Sequence, residues 1–213
     1  MQLTIQHLLP GYFEESRKQG SGFWGKELLF EKGELIKIVA PSGSGKSSVI
    51  NFLYGIRNDF NGTILYNNKN IRDLSMEELS RYRREHLSIV FQDLRLFPQQ
   101  TVEENLEIKR QLQPYHPAEK IREMTERLGI GSKLQFPAGT CSYGEQQRIA
   151  IIRSLLQPFD ILLLDEPFSH LDNSNAEKAM ALILEEAGRR QATVIFADLE
   201  RSEYFPYTRL FNL

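Results

Sequence analysis

Short apolar stretches alternate with longer stretches of helical periodicity along most of the chain. The apolar stretches predict strands at residues 3–8, 35–39, 63–66, 87–91, 161–164, 193–197 and 209–213. Helical periodicity predicts helices at residues 46–54, 76–84, 117–128, 144–156 and 174–188. Because strands and helices alternate, we expect an α/β fold with a mainly parallel sheet.

Turn and capping residues mark several boundaries. Asn61-Gly62 predicts a turn before the third strand. Ser75, with Glu78 three positions later, predicts a capping box, and Gly129 suits a helix C-terminus. Residues 93–143 contain no convincing strand, which predicts a helical insertion. We therefore expect one domain over residues 1–213 with antiparallel strands near its N-terminus, in which 1–92 and 157–213 form the α/β core and 93–156 form an inserted helical subdomain.

The composition limits the classes of function. The chain has 213 residues, 41% of them hydrophobic, and a formal net charge of −2. This charge balance indicates no nucleic-acid partner. The single cysteine, Cys141, offers neither an internal disulfide nor a zinc cluster and fits a reducing cytoplasm. We expect no signal peptide, and no apolar stretch approaches the roughly 18 residues that span a bilayer, so a membrane role is expected to need a partner chain.

A glycine-rich loop follows the strand at 35–39 and precedes a helix, which is the context of a phosphate-binding loop. Small residues let backbone N–H groups approach phosphate oxygens, and the helix N-terminus adds a favourable dipole. Lys46 is expected to reach the β- and γ-phosphates of ATP, and the Ser47 hydroxyl to bind Mg²⁺. The predicted ATP-binding residues of the loop are Ser42, Gly43, Ser44, Gly45, Lys46, Ser47 and Ser48.

The alternative interpretation of this stretch is a flexible glycine- and serine-rich surface loop. Ala40 stands at the first position of the pattern, where glycine is usual. If that position needs a positive φ, alanine costs about 1 kcal/mol. The agreement of the Gly45-Lys46-Ser47 core with the flanking strand and helix favours the phosphate-binding loop.

Two carboxylates follow the aliphatic strand at 161–164. In an open α/β sheet the carboxyl ends of the strands form the edge where ligands bind. Asp165 is placed to hold Mg²⁺, directly or through water, and Glu166 to orient or deprotonate an attacking water. The alternative is an acidic strand end that faces solvent, which the neighbouring phosphate loop makes less favourable.

The residues after the loop distinguish among kinases, GTPases, helicases and other families that share it. Gln92 follows a strand, residues 142–148 read Ser-Tyr-Gly-Glu-Gln-Gln-Arg, and residues 169–172 read Ser-His-Leu-Asp. This order resembles the Q-loop, signature motif and D-loop of the ATP-binding cassette family, and it covers residues 39–172. A nucleoside-type kinase shares the phosphate loop but would not explain residues 142–148.

The resemblance implies an ATPase that uses ATP and Mg²⁺ and works as a head-to-tail dimer. Ser142, Gly144 and Glu145 would contact the nucleotide bound by the partner, while Gln92 would act in catalysis and bind Mg²⁺. It also implies an integral membrane subunit as partner, which would hold the chain at the cytoplasmic face of the cell membrane. Whether the dimer is a homodimer or a heterodimer stays open. Residues 91–105 are similar to the lipoprotein-export, macrolide-efflux and cell-division branch.

Aromatic residues allow more than one role. In the family the nucleotide base stacks on an aromatic residue near the N-terminal strands, and of Tyr12 and Phe13 we prefer Tyr12. Phe91 and Phe97 suit either core packing or coupling to a membrane partner.

The chain departs from the family pattern at three positions. Cys141 replaces a leucine, and Tyr143 replaces the first signature glycine, where its ring either alters dimer closure or points outward. Leu199 falls where the family has a switch histidine, and none of the four histidines lies near it in sequence. Loss of one positioned donor typically costs about 10²–10³ in rate. The sequence therefore supports two functions, an ATPase subunit of a membrane transporter and a slow or non-hydrolysing regulatory module.

Overall fold

The alternation of strands and helices in the sequence produces two β-sheets surrounded by helices. The structure is a computed structural model that describes residues 1–41, 43–199 and 206–213. Within them the strands are β1 (Leu3–Pro10), β2 (Glu27–Phe30), β3 (Leu35–Val39), β4 (Phe60–Tyr66), β5 (Lys69–Asn70), β6 (Leu87–Val90), β7 (Ile161–Asp165), β8 (Thr193–Asp198) and β9 (Arg209–Asn212). The α-helices of the described residues are α1 (Lys46–Leu53), α2 (Met76–Glu85), α3 (Val102–Leu112), α4 (Glu119–Arg127), α5 (Tyr143–Leu155) and α6 (Asn173–Arg190).

The two sheets differ in strand direction. The N-terminal sheet has the order β2-β1-β4-β5 and is antiparallel throughout. The second sheet has the order β6-β7-β8-β3-β9, and all of its strands run parallel. The expected α/β fold with a parallel sheet and antiparallel N-terminal strands is therefore confirmed.

The turn expected at Asn61-Gly62 is wrong, because both residues lie inside β4. The pairing of β4 with β1 shifts register between Gln6 and Leu9, and His7 has a φ of 52°. Gly62 has a φ of 88°, and a Cβ atom there would lie 2.4 Å from the Gln6 carbonyl oxygen. Asn61 and Gly62 therefore lie at an irregularity in the pairing of β1 with β4, where only a glycine allows the two backbones to come this close.

The predicted capping box of α2, which lies just before β6, is confirmed. The Ser75 hydroxyl accepts from the Glu78 amide, and the Glu78 carboxylate accepts from the Ser75 amide.

Helices fill the segment between β6 and β7. The helix α3 was not predicted, although Thr101 and Glu104 form a capping box at its start like that of α2. Between β6 and β7, where every residue is described, the only β pairing is an isolated bridge between Thr101 and Pro137.

The parallel sheet separates two apolar cores. Along β7, Ile161 and Leu163 pack on the side of α1 and the antiparallel sheet, whereas Leu162 and Leu164 pack on the side of α3–α6. All four side chains have no measurable exposure, which explains the uninterrupted aliphatic sequence. Among the described residues, no helix is both long and apolar enough to cross a membrane.

The strand order determines where the polar loops meet. β8 lies between β7 and β3, so the loop after β3 and the acidic end of β7 lie at the same edge of the sheet. This edge at the carboxyl ends of parallel strands is where α/β proteins bind ligands.

Candidate nucleotide-binding site

Two glycines before α1 have left-handed backbone conformations. Gly43 and Gly45 have φ values of 77° and 96°, which side-chain-bearing residues rarely adopt. A Cβ atom on Gly45 would also lie 2.9 Å from the ring of Trp24. Ala40 does not adopt a positive φ, so the cost considered for alanine there does not arise. Ser42 lies outside the described residues.

Lys46 begins α1 and points back into the loop. Its ammonium group donates to the carbonyl oxygens of Ala40 at 2.8 Å and Pro41 at 3.0 Å. The same group lies 3.6 Å from Oε1 of Glu166, and the Lys46 side chain is only 4% exposed. The positively charged ammonium group of Lys46 is thus held in the loop, next to the carboxylate of Glu166.

Asp165 and Glu166 end β7 in different surroundings. Asp165 is 4% exposed, and its Oδ1 atom has no hydrogen-bond partner among the described residues. Burial raises the pKa of Asp165 to about 6, an effect that the neighbouring Ser47 hydroxyl partly offsets and the charge of Glu166 increases. Glu166 has a φ of 47°, and its amide donates to the Ala197 carbonyl at 2.9 Å, which fixes its backbone against β8.

Gln92 connects the phosphate loop to the acidic strand end. Its Oε1 accepts from the Ser47 hydroxyl at 3.3 Å, and its Nε2 donates to Oε2 of Glu166 at 3.2 Å. In sequence, Gln92 lies 45 residues from Ser47 and 74 residues from Glu166. These contacts surround a cleft of about 250 Å³ that is lined by Tyr12, Gly43, Gly45, Lys46, Ser47, Ser48, Gln92 and Glu166.

A larger cleft of about 680 Å³ lies between α2 and α3 and contains none of the predicted site residues. Its walls carry arginine and glutamate side chains and no phosphate-binding loop. The smaller cleft, and not this one, carries the groups that suit a phosphate ligand, and the chemistry of the lining groups is a better guide to the ligand than the volume.

Tyr12 stands at the rim of the cleft. Its hydroxyl lies 2.6 Å from the Ser48 hydroxyl, and the side chain is 55% exposed. Phe13 is half-buried, with its ring 5.9 Å from that of Trp24. Of the two candidates Tyr12 is the more exposed, and the Arg57 guanidinium lies 5.4 Å from the centroid of its ring.

The signature residues lie at the start of α5. Ser142 caps the helix, and its hydroxyl and the Glu145 carboxylate form a reciprocal capping box. Ser142, Gly144 and Glu145 do not line the cleft, and Ser44 lines a neighbouring cavity instead. A chain on its own thus brings together the loop, Gln92 and the acidic pair but not the signature residues.

Three further positions bear on the sequence interpretation. Cys141 is buried, as expected of a small apolar residue, whereas Phe97 is 51% exposed and does not pack in the core. Sequence reasoning missed the role of Gln147, which donates to the Glu166 carbonyl at 3.2 Å and accepts from the His170 amide at 3.1 Å. Its place in the quoted signature sequence was the available signal.

The described residues fit a nucleotide with a divalent cation. They contain no cluster of three or more histidine, cysteine, aspartate or glutamate side chains that could hold a metal. They do offer one unpartnered buried carboxylate oxygen on Asp165, next to the Ser47 hydroxyl and the Gln92 amide oxygen. Proteins commonly bind Mg²⁺ through a few protein oxygens together with substrate phosphates.

The fold and the site define a nucleoside-triphosphate-binding protein of the P-loop class. Among known families, the model described as "ABC transporter" matches residues 25–169. This chain therefore belongs to the ABC transporter family.

Named relatives agree with this assignment. The lipoprotein-releasing system ATP-binding protein LolD of Alcanivorax borkumensis is 31% identical over 186 residues, which cover 86% of this chain and 81% of the relative. The macrolide export ATP-binding/permease protein MacB of Shigella flexneri is 32% identical over 80% of this chain. The matched region spans 27% of that longer protein.

Solved structures share the fold. A dimeric ATP-binding cassette in a post-hydrolysis state, bound to ADP and Pi, superposes with a TM-score of 0.77 and 26% identity, over 93% of this chain and 88% of the other. A putative ABC transporter ATP-binding protein from Pyrococcus furiosus has a TM-score of 0.80 over 100% of this chain and 98% of its own, at 20% identity.

Proposed function

We propose that this chain is the ATP-hydrolysing subunit of a membrane transport complex. The observation that carries the proposal is the convergence of Lys46, Gln92 and Glu166 on one cleft. Beside it lies a buried oxygen of Asp165 that has no hydrogen-bond partner within the described part of the chain. Each group suits one part of the ATPase reaction, and they come from separate segments of the chain. The relatives named as ATP-binding components of export systems support the same activity.

The loop residues would bind the phosphates of ATP. The amides of Gly43–Ser48, together with Ser42, would face phosphate oxygens, and Lys46 would exchange carbonyl partners for the β- and γ-phosphates. The ring of Tyr12 would stack on the base. Ser142, Gly144 and Glu145 would complete the site of a second cassette, in a homodimer or a heterodimer, as the dimeric structural neighbour suggests.

Asp165 and Glu166 would have different roles in ATP hydrolysis. Mg²⁺ at Ser47, Gln92 and Asp165 would neutralise charge on the phosphates. Glu166 would orient a water molecule and accept its proton. Gln92 touches both Ser47 and Glu166, so it would keep the metal-binding oxygens and the base in register.

The partner would be an integral membrane subunit, which would hold this chain at the cytoplasmic face of the cell membrane. Residues 93–156 would move as one helical unit against the α/β core formed by 1–92 and 157–213. The membrane partner is supported by the family and by the MacB relative, whose name includes a permease part.

A second function is favoured by Leu199. This side chain is 43% exposed just after β8 and has no polar group to offer a phosphate. All four histidines lie among the described residues, and none lines the cleft. A chain without that donor would bind ATP, hydrolyse it slowly and act as a nucleotide-dependent regulatory module.

Steady-state ATP hydrolysis by the purified chain tests these functions. For an ATP-hydrolysing subunit we expect turnover that Glu166→Gln abolishes. For the regulatory module we expect little turnover in the unmodified chain and a rise in Leu199→His, by up to about 10²–10³ if histidine restores a positioned donor. Leu112→His is the matched control, because Leu112 is also exposed (55%) but lies on α3. It should leave the rate unchanged.

The outcomes separate the candidates. Fast hydrolysis that Leu199→His does not change would contradict the slow-module function and support a working motor subunit. Tight ATP binding with hydrolysis only in Leu199→His would support the regulatory module. A chain that binds no ATP would overturn both.

A further inference from the structure

Tyr143, the first residue of α5, stands where the family has a small glycine, and its side chain is not simply directed into solvent. Its hydroxyl donates to the main-chain carbonyl oxygen of Gln92 at 3.3 Å. The edge of its ring meets the His170 ring, with centroids 4.3 Å apart and planes inclined at 66°. The side chain is still 45% exposed, so these two contacts define its position.

Tyr143 donates to the main-chain carbonyl of Gln92, and the side chain of Gln92 lines the cleft. Gln92 reaches Ser47 and Glu166 from a segment that has little regular structure. Two residues further on, Leu94 and Arg95 have φ values of 57° and 48°. Such left-handed conformations at residues other than glycine persist where surrounding contacts fix the backbone.

Gln147 lies one helical turn after Tyr143, on the same face of α5. It donates to the main-chain carbonyl of Glu166 and accepts from the amide of His170. One face of α5 therefore contacts the backbones of both proposed catalytic residues, Gln92 through Tyr143 and Glu166 through Gln147.

We propose that Tyr143 is a positioning residue that holds the main chain of Gln92, so that the Gln92 side chain faces the metal-binding corner of the cleft. The inference rests on the proposed role of Gln92. It concerns this chain in particular, because a glycine at position 143 could make neither contact.

The test measures affinity and does not depend on turnover. Adenylyl imidodiphosphate, a non-hydrolysable ATP analogue, is titrated into the full chain with Mg²⁺ and separately with EDTA. Tyr143→Phe deletes the hydroxyl and keeps the ring on His170. One hydrogen bond of ordinary strength corresponds to a two- to tenfold change in affinity, so we expect Mg²⁺-dependent binding to weaken by about that factor. Binding in EDTA should not change.

Two further variants separate positioning from a general structural effect. In a Gln92→Ala background, Tyr143→Phe should cause no additional loss, because the side chain that it positions is gone. Tyr115→Phe is the matched control: Tyr115 is 46% exposed and contacts the neighbouring His116 edge-on, with centroids 4.8 Å apart. This control should bind as the unmodified chain does.

Unchanged Mg²⁺-dependent binding in Tyr143→Phe would overturn the inference. So would an equal loss in EDTA, or an equal loss in the Gln92→Ala background. If the unmodified chain binds the analogue in neither condition, the proposed function itself fails, which is a different result from any of these.

Discussion

The buried carboxylate of Asp165 should lower the free energy of unfolding when it is ionised and no cation is bound. Replacement of Asp165 by asparagine should therefore stabilise the fold. Its carboxyl is 4% exposed, and burial raises its pKa from 3.8 to about 6. The difference between these two pKa values corresponds to about 3 kcal/mol in the free energy of unfolding. Because the folded-state pKa is raised, this cost is absent below pH 3.8 and develops as the pH rises through about 6.

Urea unfolding in EDTA measures the effect. For Asp165→Asn we expect the free energy of unfolding to rise by about 3 kcal/mol at pH 7.5 and by about 1 kcal/mol at pH 4.5, where the unmodified carboxyl is mostly protonated in the folded state. Asp73→Asn is the control, since Asp73 is exposed and a surface change of this kind typically alters stability by less than about 0.5 kcal/mol.

The same variant should lose function. Asparagine cannot offer a charged oxygen, so Mg²⁺ should no longer strengthen nucleotide binding in Asp165→Asn. A variant less stable than the unmodified chain at pH 7.5 would refute the reasoning. An equal gain at both pH values would also refute it, because the cost would then not come from ionisation.

Two other predictions concern positions outside the cleft. Gly62→Ala should lower the free energy of unfolding by about 1–3 kcal/mol, because φ is 88° and the Cβ atom would lie 2.4 Å from a backbone oxygen. Gly188→Ala, in open space on α6, should raise the free energy of unfolding by roughly 0.5–1 kcal/mol. Urea unfolding of the two variants tests both expectations. Glu186 is fully buried, and although burial alone would raise its pKa, hydrogen bonds from His116 and Arg190 hold it at about 2. Its stabilising contribution is present above pH 4.5 and is lost as the pH falls towards 2, so Glu186→Gln should cost about 3 kcal/mol at pH 7 and distinctly less at pH 3 in the same assay; a constant cost would contradict this origin.

Local patterns predicted the parts of the fold that depend on neighbouring residues. β3 is bounded in the structure as in the sequence, and the capping box of α2 forms from residues three positions apart. The acidic end of β7 was predictable because its aliphatic residues need burial on both faces. By contrast, β2 was missed. It is an edge strand whose exposed and buried positions alternate, but the exposed Leu29 is as apolar as its buried neighbours Leu28 and Phe30, so the sequence shows no alternation.

Contacts between distant segments could not be predicted in this way. Tyr143 and Gln92 are 51 residues apart, and Gln147 lies 19 residues from Glu166. Nothing in either local sequence specifies these distances, because they follow from how α5 packs beside the ends of β6 and β7. The sequence left open whether Tyr143 points outward, and the structure shows instead that its hydroxyl reaches the Gln92 carbonyl.

The surroundings of the two carboxylates give a physical reason for assigning them different roles. Glu166 accepts from the amide of Gln92 and faces the ammonium of Lys46, so its charge is compensated within the chain. Asp165 has a buried oxygen without a hydrogen-bond partner among the described residues, and its raised pKa reflects the cost of charge there. A divalent cation would remove more of this cost at Asp165 than at Glu166. This difference supports the proposal that the metal binds at Asp165, which would leave Glu166 available to act on water.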